Sequence, residues 1–291
     1  MAVSTDYRDS RKSAYQEYAI VSTHNACLLP ASLSPLSAAP LGVAYAAAAL
    51  MLGICIGLSF SLCPSPGDGP DLLSLVRSLQ PETFAKDIRA ECFEGISLDE
   101  RPKKGDWLVI WGGSSATGCV ALQLAKLAGL RTICVLDVAR NGSRMLKLGA
   151  DLLVDRLDEK RAVEIIRQVT GGKLRFGIDT RGRESATLLA KAMERTEDAE
   201  EGKAHLVGLT GLPKQPTPGV QYHTVPIKAF HEAHEVGEAL MVWVEKLLKE
   251  GLLQTPDIEV AEGGLLGIND ALDRLRDGSV NGPRIVVPLQ N

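Results

Sequence analysis

Residues 106–137 constrain the fold more than any other part of this 291-residue chain. An apolar run of strand length, Trp107 to Trp111, ends in two glycines, and a helical pattern runs from Gly118 to Leu127. A second apolar run follows and ends on Asp137. This succession of a strand, a glycine-containing turn, a helix and a strand ending on an acid predicts the first β-α-β unit of a dinucleotide-binding fold.

The turn between strand and helix has residue types that suit a pyrophosphate. Gly112 and Gly113 permit a tight exit from the strand, and Gly118 lets the helix approach both strand and ligand. Between these glycines, backbone N–H groups and hydroxyls are expected to meet the phosphates at the positive end of the helix. They belong to Ser114, Ser115, Ala116 and Thr117. Because serine replaces the central glycine of the usual fingerprint, the alternative is a purely structural turn in another α/β protein.

The composition excludes several classes of function. A formal net charge of −4 leaves no electrostatic footprint for nucleic acid. The six cysteines form no C-x-x-C pair and the five histidines lack ligand spacing, so no metal site is predicted. No Gly-x-Ser-x-Gly elbow supports a serine hydrolase. The first apolar run starts too late for a signal peptide, so we expect a reducing, cytoplasmic setting.

The stretch 40–62 carries no charge and is open to two interpretations. Its length suits a transmembrane helix. However, it is rich in Ala, Gly and Ser, and it lacks both a Lys/Arg flank and an aromatic belt. We therefore predict a buried helix from Leu41 to about Leu52 and no contact with a membrane.

Strands and helices alternate after Asp137, which predicts a parallel sheet with helices on both faces. The predicted strands are 152–154, 176–179 and 204–209, and the predicted helices are 143–148, 160–169 and 184–193. The C-terminal part is predicted to hold a helix at 232–250, a strand at 258–261, a helix at 266–276 and a strand at 284–287. Earlier in the chain we expect a strand at 14–21 and, over 63–105, a loop region with a short helix at 72–79.

Several segments together resemble one protein family: Ala14–Tyr18, Pro40–Leu50, Trp111–Gly118, Gln123–Lys126, Leu148–Asp151 and Asn281–Leu289. In this order they resemble zinc-free medium-chain dehydrogenase/reductases, most closely the fungal trans-acting enoyl reductases that serve polyketide synthases. The resemblance implies an α/β fold, with a doubly wound parallel Rossmann sheet and an incomplete GroES-like β domain. It implies a GroES-like remnant at 1–38, a Rossmann domain at 39–254 with an insertion at 64–105, and a return to the catalytic domain at 255–291. We therefore expect a chain truncated at its N-terminus.

The resemblance also implies an activity in secondary metabolism. It implies hydride transfer from NADPH to an enoyl thioester that is carried by a polyketide synthase or its acyl carrier domain. Carried over by position, the cofactor residues beyond the turn are Asp137, Val138, Ala139, Arg140, Asn141, Arg156, Leu209, Thr210, Asn281 and Gly282. The implied substrate pocket is lined by Gly42, Val43, Ala44, Tyr45, Ala46, Ala47, Ala48, Pro226, Ile227, Lys228, Ala229 and Phe230.

Two positions depart from the family pattern. An acid at Asp137 favours a ribose 2′-OH and repels a 2′-phosphate, whereas NADPH users usually have a small neutral residue there. Arg140 and Arg144 could pair with a 2′-phosphate, but these two arginines against one acid do not decide the choice of cofactor. The resemblance keeps NADPH as the expected cofactor, with NADH as the alternative. Tyr45 replaces a small hydroxyl residue in the substrate helix. It is a catalytic candidate by position only, and a packed tyrosine is the alternative.

Two rival functions stay open at this point. The chain could be a redox-inactive, degenerate member that acts as a cyclase or isomerase, or a synthase accessory protein without catalysis. The missing part of the catalytic domain favours these rivals. The intact phosphate turn favours an NAD(P)H-dependent oxidoreductase.

Overall fold

Six parallel strands form the central sheet, and the computed structural model describes residues 1–4, 6, 8–196, 202–280 and 282–289. The strands are β1 (Trp107–Trp111), β2 (Arg131–Leu136), β3 (Leu152–Asp155), β4 (Phe176–Asp179), β5 (Ala204–Gly208) and β6 (Val220–Thr224). Their order across the sheet is β3-β2-β1-β4-β5-β6. This order is doubly wound, with the strand order reversing between β1 and β4, so the predicted Rossmann sheet is confirmed.

Helices cover both faces of the sheet. They are α1 (Pro35–Ala38), α2 (Leu41–Leu50), α3 (Leu72–Ser78), α4 (Lys86–Glu94), α5 (Ala116–Leu127), α6 (Val138–Lys147), α7 (Glu159–Val169), α8 (Arg183–Met193), α9 (Lys228–Glu232), α10 (His234–Lys249) and α11 (Ile268–Arg276). A separate parallel pair joins β7 (Ile258–Val260) to β8 (Arg284–Val286). Residues 1–38 hold an antiparallel bridge between Ala2 and Ala26.

Each face of the sheet has its own hydrophobic core, because side chains alternate along a strand. Leu108 and Ile110 of β1 belong to the larger core, together with residues of α2, α5 and α10. Val109 and Trp111 belong to the smaller core, together with residues of α7 and α8. This arrangement leaves the carboxyl ends of β1 and β4 as the place where a ligand can reach the sheet.

The uncharged stretch forms the central helix of the larger core. Every residue of α2 except Val43 is buried, as expected for a helix without a polar face. Residues Pro35–Cys55 are long and apolar enough to cross a membrane, yet 83% of their most apolar part is buried inside the protein. The predicted buried helix is confirmed, and it continues into a π-helical turn, Met51–Cys55.

One predicted strand is absent, and two elements of the structure were not predicted. The expected strand at 14–21 is absent, since Tyr15 has a φ of +64° and Tyr18 is 81% exposed. The region 63–105 contains α4, which the sequence did not predict because only Ile88 and Cys92 give it a buried stripe. Strand β6 was missed because its residues are mostly polar and it lies at the edge of the sheet.

Candidate dinucleotide site

The turn after β1 needs glycine at its first position. Gly112 has a φ of +86°, in the left-handed region that favours glycine. A Cβ on Gly112 would lie only 2.3 Å from Thr180 Oγ1. The N–H groups of Gly112 and Gly113 donate to the Val135 carbonyl at 2.9 and 3.3 Å, which fixes the turn against the end of β2.

Gly118 brings helix α5 into direct contact with the turn. A Cβ at this position would lie 2.6 Å from the Gly112 carbonyl oxygen and 2.8 Å from that of Gly113. Both contacts are with backbone, which cannot rotate aside as a flexible side chain can. Any larger residue at position 118 would therefore separate the helix from the turn.

Ser115, the residue in place of the usual central glycine, caps α5. Its hydroxyl accepts the Gly118 N–H at 3.0 Å and lies 2.9 Å from Thr180 Oγ1. Thr180 in turn donates to the Gly112 carbonyl at 2.9 Å. The cap does not use the N–H groups of Ala116 and Thr117. These two groups also have no carbonyl partner one turn earlier, because the helix begins here. They are available to an anion at the positive end of the helix.

Asp137 lies where the fingerprint requires its acid, directly after β2. Its Oδ1 accepts the Arg140 N–H at 3.1 Å, so it also caps helix α6. Arg140 is 65% exposed in its side chain and its Nε lies 3.6 Å from Asp137 Oδ2. Arg144, the second arginine expected near a 2′-phosphate, pairs with Asp257 at 2.9 Å.

Most of the other predicted cofactor residues lie around the carboxyl edge of the sheet. Val138 and Ala139 begin α6. A Cβ built on Gly282 would lie 3.8 Å from Asn141 Oδ1, so the structure brings these two distant residues together. The Arg156 N–H donates to the Leu136 carbonyl at 2.9 Å. Asn281 lies outside the described residues.

Leu209 and Thr210 also lie at this edge, beside the loop after β4. The Leu209 N–H donates to the Asp179 carbonyl at 2.9 Å. Thr210 Oγ1 lies 3.8 Å from a Cβ built on Gly182. The loops that follow β4 and β5 are therefore neighbours.

A polar cavity of about 370 Å³ lies beside the turn and was not foreseen from the sequence. It is lined by Trp111, Arg156, Glu159, Arg181, Gly182, Arg183, Glu184 and Ser185. Of these residues, only Arg156 was among the predicted cofactor residues. The sequence feature that could have indicated this cavity is the acid at the end of β4, which is followed by Thr-Arg-Gly. This strand end lies beside the end of β1, where the turn begins.

Asp179 shapes the wall of this cavity. Its Oδ1 accepts the N–H groups of Arg181 at 2.9 Å and Gly182 at 2.8 Å. The side chain is fully buried, and burial raises the pKa of Asp179 despite these hydrogen bonds. Within the described part of the chain its Oδ2 has no partner. The loop after β4 is thus held by a buried carboxyl group, one oxygen of which accepts no hydrogen bond from the described residues.

The predicted substrate helix does not present an open pocket. From position 42 to 48, only Val43 is exposed, and Val3 covers Gly42 so closely that a Cβ there would lie 2.5 Å from Val3 Cγ2. Tyr45 is fully buried, and its hydroxyl donates to the Leu240 carbonyl at 3.0 Å. Burial raises the pKa of Tyr45 well above its usual value. The structure therefore favours the packed alternative for this tyrosine.

The second predicted substrate segment, 226–230, joins the same core. Ala229 and Phe230 belong to the hydrophobic cluster that contains Tyr45. The Phe230 carbonyl accepts from Asn25 Nδ2 at 2.7 Å, and Lys228 pairs with Asp87 at 2.6 Å. The structure thus brings the two predicted substrate segments together as packed core, with Ile227 and Lys228 half-buried.

No metal centre accompanies these features among the residues that the structure describes. In that part of the chain, no group of three or more His, Cys, Asp or Glu side chains is placed to hold an ion. All six cysteines are free.

Sequence comparisons place the chain beside named reductases. The zinc-binding dehydrogenase family matches residues 116–237. A trans-enoyl reductase from Penicillium crustosum is 29% identical over 212 residues, which are 67% of this chain and 56% of the relative. A trans-enoyl reductase from Gibberella fujikuroi is 24% identical over 302 residues, which are 97% of this chain and 74% of the relative. The chain thus spans between half and three quarters of the length of these relatives.

Solved structures share the fold. The quinone oxidoreductase of Escherichia coli, complexed with NADPH, superposes with a TM-score of 0.64 at 16% identity, covering 94% of this chain and 72% of its own. The CurK enoyl reductase superposes with a TM-score of 0.65 at 13% identity, covering 92% and 67%. At such low identity the likeness concerns the fold alone.

Proposed function

We propose that this chain is a medium-chain dehydrogenase/reductase, as the family match and the relatives support. We propose further that its turn Gly112–Gly118 binds the pyrophosphate of a nicotinamide dinucleotide. One observation carries the proposal. Gly118 seats the start of α5 against the Gly112 and Gly113 carbonyls, and the Ser115 cap leaves the Ala116 and Thr117 N–H groups for a ligand. The residues present fit the cofactor, since the glycines permit the tight turn and the close approach of α5, and the positive end of that helix faces the turn.

The reaction that we propose is that of a trans-enoyl reductase in fungal polyketide and secondary metabolism. When bound, the cofactor supplies a hydride to an enoyl thioester held by a polyketide synthase or its acyl carrier domain. The names of the relatives support this reaction, and the family resemblance supports the partner. The contribution of this chain is to bind and orient the dinucleotide at the carboxyl edge of β1, β2 and β4.

NADPH is the proposed cofactor, and NADH is the alternative. Arg140 is mostly exposed beside Asp137, and Arg156 and Arg181 line the adjacent cavity, so cationic groups are within the region that a 2′-phosphate would enter. Asp137 opposes this choice, because a carboxylate repels a dianionic phosphate. We give the three arginines more weight than the single acid.

The family also supports the domain bounds and the setting. We propose a part of the catalytic domain at 1–38, a dinucleotide domain at 39–254 with an insertion at 64–105, and a return to the catalytic domain at 255–291. We propose a cytoplasmic setting, which is a compartment that keeps free cysteines such as these reduced.

Calorimetric titration with NADPH and with NADH tests the site. The wild type is expected to bind, and Gly118→Val to lose binding, because valine forces the helix away from the turn. The matched control is Ala128→Val, which adds the same side chain at the C-terminal cap of α5. Circular dichroism shows whether each variant keeps its fold. Equal affinity in the wild type and in a folded Gly118→Val variant would rule out the assignment.

A second candidate is a redox-inactive member that acts as a cyclase, an isomerase or a synthase accessory protein. The closed packing of residues 42–48 and 226–230 favours it, since neither segment offers an open substrate pocket in this structure. A crotonyl thioester and NADPH separate the two candidates. Consumption of NADPH with formation of the saturated thioester supports the reductase. NADPH binding without its consumption, with the partner synthase also present, supports the redox-inactive member.

A further inference from the structure

Arg181 lies across the phosphate turn from the neighbouring strand. It follows β4, and a Cβ built on Gly112 would lie only 2.9 Å from Arg181 Cγ. A side chain at position 112 would therefore displace the stem of Arg181. The arginine also lines the polar cavity of about 370 Å³ beside the turn, a volume in the range of small-molecule sites.

Arg156 lines the same cavity from the side of β2 and β3. It comes directly after β3, and its backbone N–H donates to the Leu136 carbonyl at 2.9 Å. Leu136 precedes Asp137, the residue that is proposed to face the cofactor ribose. The cavity thus extends from the phosphate turn, at Arg181, toward the ribose position, at Arg156.

The charges of these two arginines are open to a ligand. Among the residues that the structure describes, neither guanidinium group forms an ion pair or a hydrogen bond. The buried Asp179 carboxyl attracts Arg181 by its charge but is not paired with it. Arg183, another arginine of the cavity, donates instead to the Leu212 carbonyl at 3.3 Å.

Two acids also line the cavity, Glu159 and Glu184. Each lies in the first turn of a helix, α7 or α8, where the positive helix end offsets the charge of a carboxylate. The turn after β2 attracts an anion less, because Arg140 lies 3.6 Å from Asp137 and the two charges offset each other. Positive charge that is open to a ligand is therefore concentrated in the cavity.

The pyrophosphate has its proposed donors on the other side of the sheet edge. These are the Ala116 and Thr117 N–H groups at the start of α5, which packs into the larger core. Trp111, in the cavity wall, belongs to the smaller core on the opposite face. The anion that suits the cavity is thus a second phosphate, close to the ribose. NADPH carries such a group on its 2′ oxygen, and NADH does not.

We infer that Arg181, together with Arg156, holds the 2′-phosphate of NADPH and selects this cofactor over NADH. This role rests on the proposed dinucleotide site and adds to it a selectivity residue after β4. Two planar guanidinium groups on either side of one phosphate can each make paired, charge-assisted hydrogen bonds. Glycine at position 112 then has a second purpose, since it leaves room for the stem of Arg181.

Calorimetry of Arg181→Gln with NADPH and with NADH tests this role. Glutamine keeps the Cβ and Cγ groups that lie on Gly112 and removes the charge. NADPH binding is expected to weaken at least about tenfold, because a charged hydrogen-bond donor is lost, while NADH binding stays unchanged. Arg181→Lys keeps the charge and should retain part of the preference. The control is Arg144→Gln, which removes an arginine already paired with Asp257 and should leave the ratio of the two constants unchanged.

The outcomes separate the role of Arg181 from the proposed function. A wild type that binds neither cofactor would contradict the dinucleotide site, and the role of Arg181 with it. A wild type that binds both, with Arg181→Gln weakening both equally or neither, would overturn the role and leave the site in place. A wild type that binds NADH as tightly as NADPH would overturn the role as well.

Phosphorus NMR of the wild-type complex keeps the test independent of the variants. Nearby cations favour the charged form of a phosphate, so the 2′-phosphate of bound NADPH should stay dianionic to lower pH than that of free NADPH. A bound 2′-phosphate that titrates like the free one would show that the arginines do not hold it.

Discussion

Asp137 has two roles that one substitution can separate. Its carboxylate caps α6 through the Arg140 N–H, and it places a negative charge where the cofactor ribose is proposed to lie. Serine also caps helices but carries no charge. We therefore expect Asp137→Ser to keep α6 and to strengthen NADPH binding relative to NADH by about tenfold, or about 1.4 kcal/mol.

Dissociation constants for both cofactors measure this ratio. Asp137→Ala is the comparison, because it removes the charge and the cap together. An unchanged ratio in Asp137→Ser would mean that Asp137 does not face the ribose.

At the level of residues, the sequence predicted the phosphate turn because every part of it is local. The strand, the turn and the start of helix α5 lie within 12 consecutive residues, Trp107 to Gly118. Asp179 and Arg181 escaped prediction, since they reach the site only through the pairing of β1 with β4. That pairing joins residues far apart in the chain, which periodicity does not reveal.

Among the elements, the contact of α2 with α10 explains Tyr45. Its hydroxyl makes a buried hydrogen bond to the Leu240 carbonyl, so Tyr45→Phe leaves that carbonyl without this donor. We expect a loss of about 1 kcal/mol in the free energy of unfolding and no loss of NADPH-dependent activity. Urea denaturation and a thioester reduction assay measure the two effects. A folded Tyr45→Phe variant without activity would restore the tyrosine as a catalytic candidate.

Element prediction succeeded where a segment is apolar and buried over most of its length, and failed where few residues are buried. Strand β4 and helix α5 stand out by their apolar pattern, and the structure contains both. Helix α4 has two buried residues, and β6 buries only His223, so neither has a clear hydrophobic period. Both are held instead by long-range contacts, among them the bond from His223 to Glu91.

For the whole molecule, the burial of Pro35–Cys55 predicts its behaviour on cell lysis. Since 83% of the most apolar part of this segment is inside the protein, little apolar surface is left for lipid. We expect the protein in the supernatant without detergent. Recovery only in membranes that resist carbonate extraction would show that the segment spans a bilayer.

The binding of dinucleotide at the turn is the central claim, and amide NMR tests it most directly. Titration of NADPH into ¹⁵N-labelled wild type should shift the Ala116 and Thr117 amides most strongly, because these N–H groups are free to meet the pyrophosphate. Amides of Gly171 and Gly172, in the loop before β4 at the opposite edge of the sheet, should move least. If NADPH binds but leaves the Ser114–Gly118 amides unmoved, or does not bind at all, the site is not where we place it.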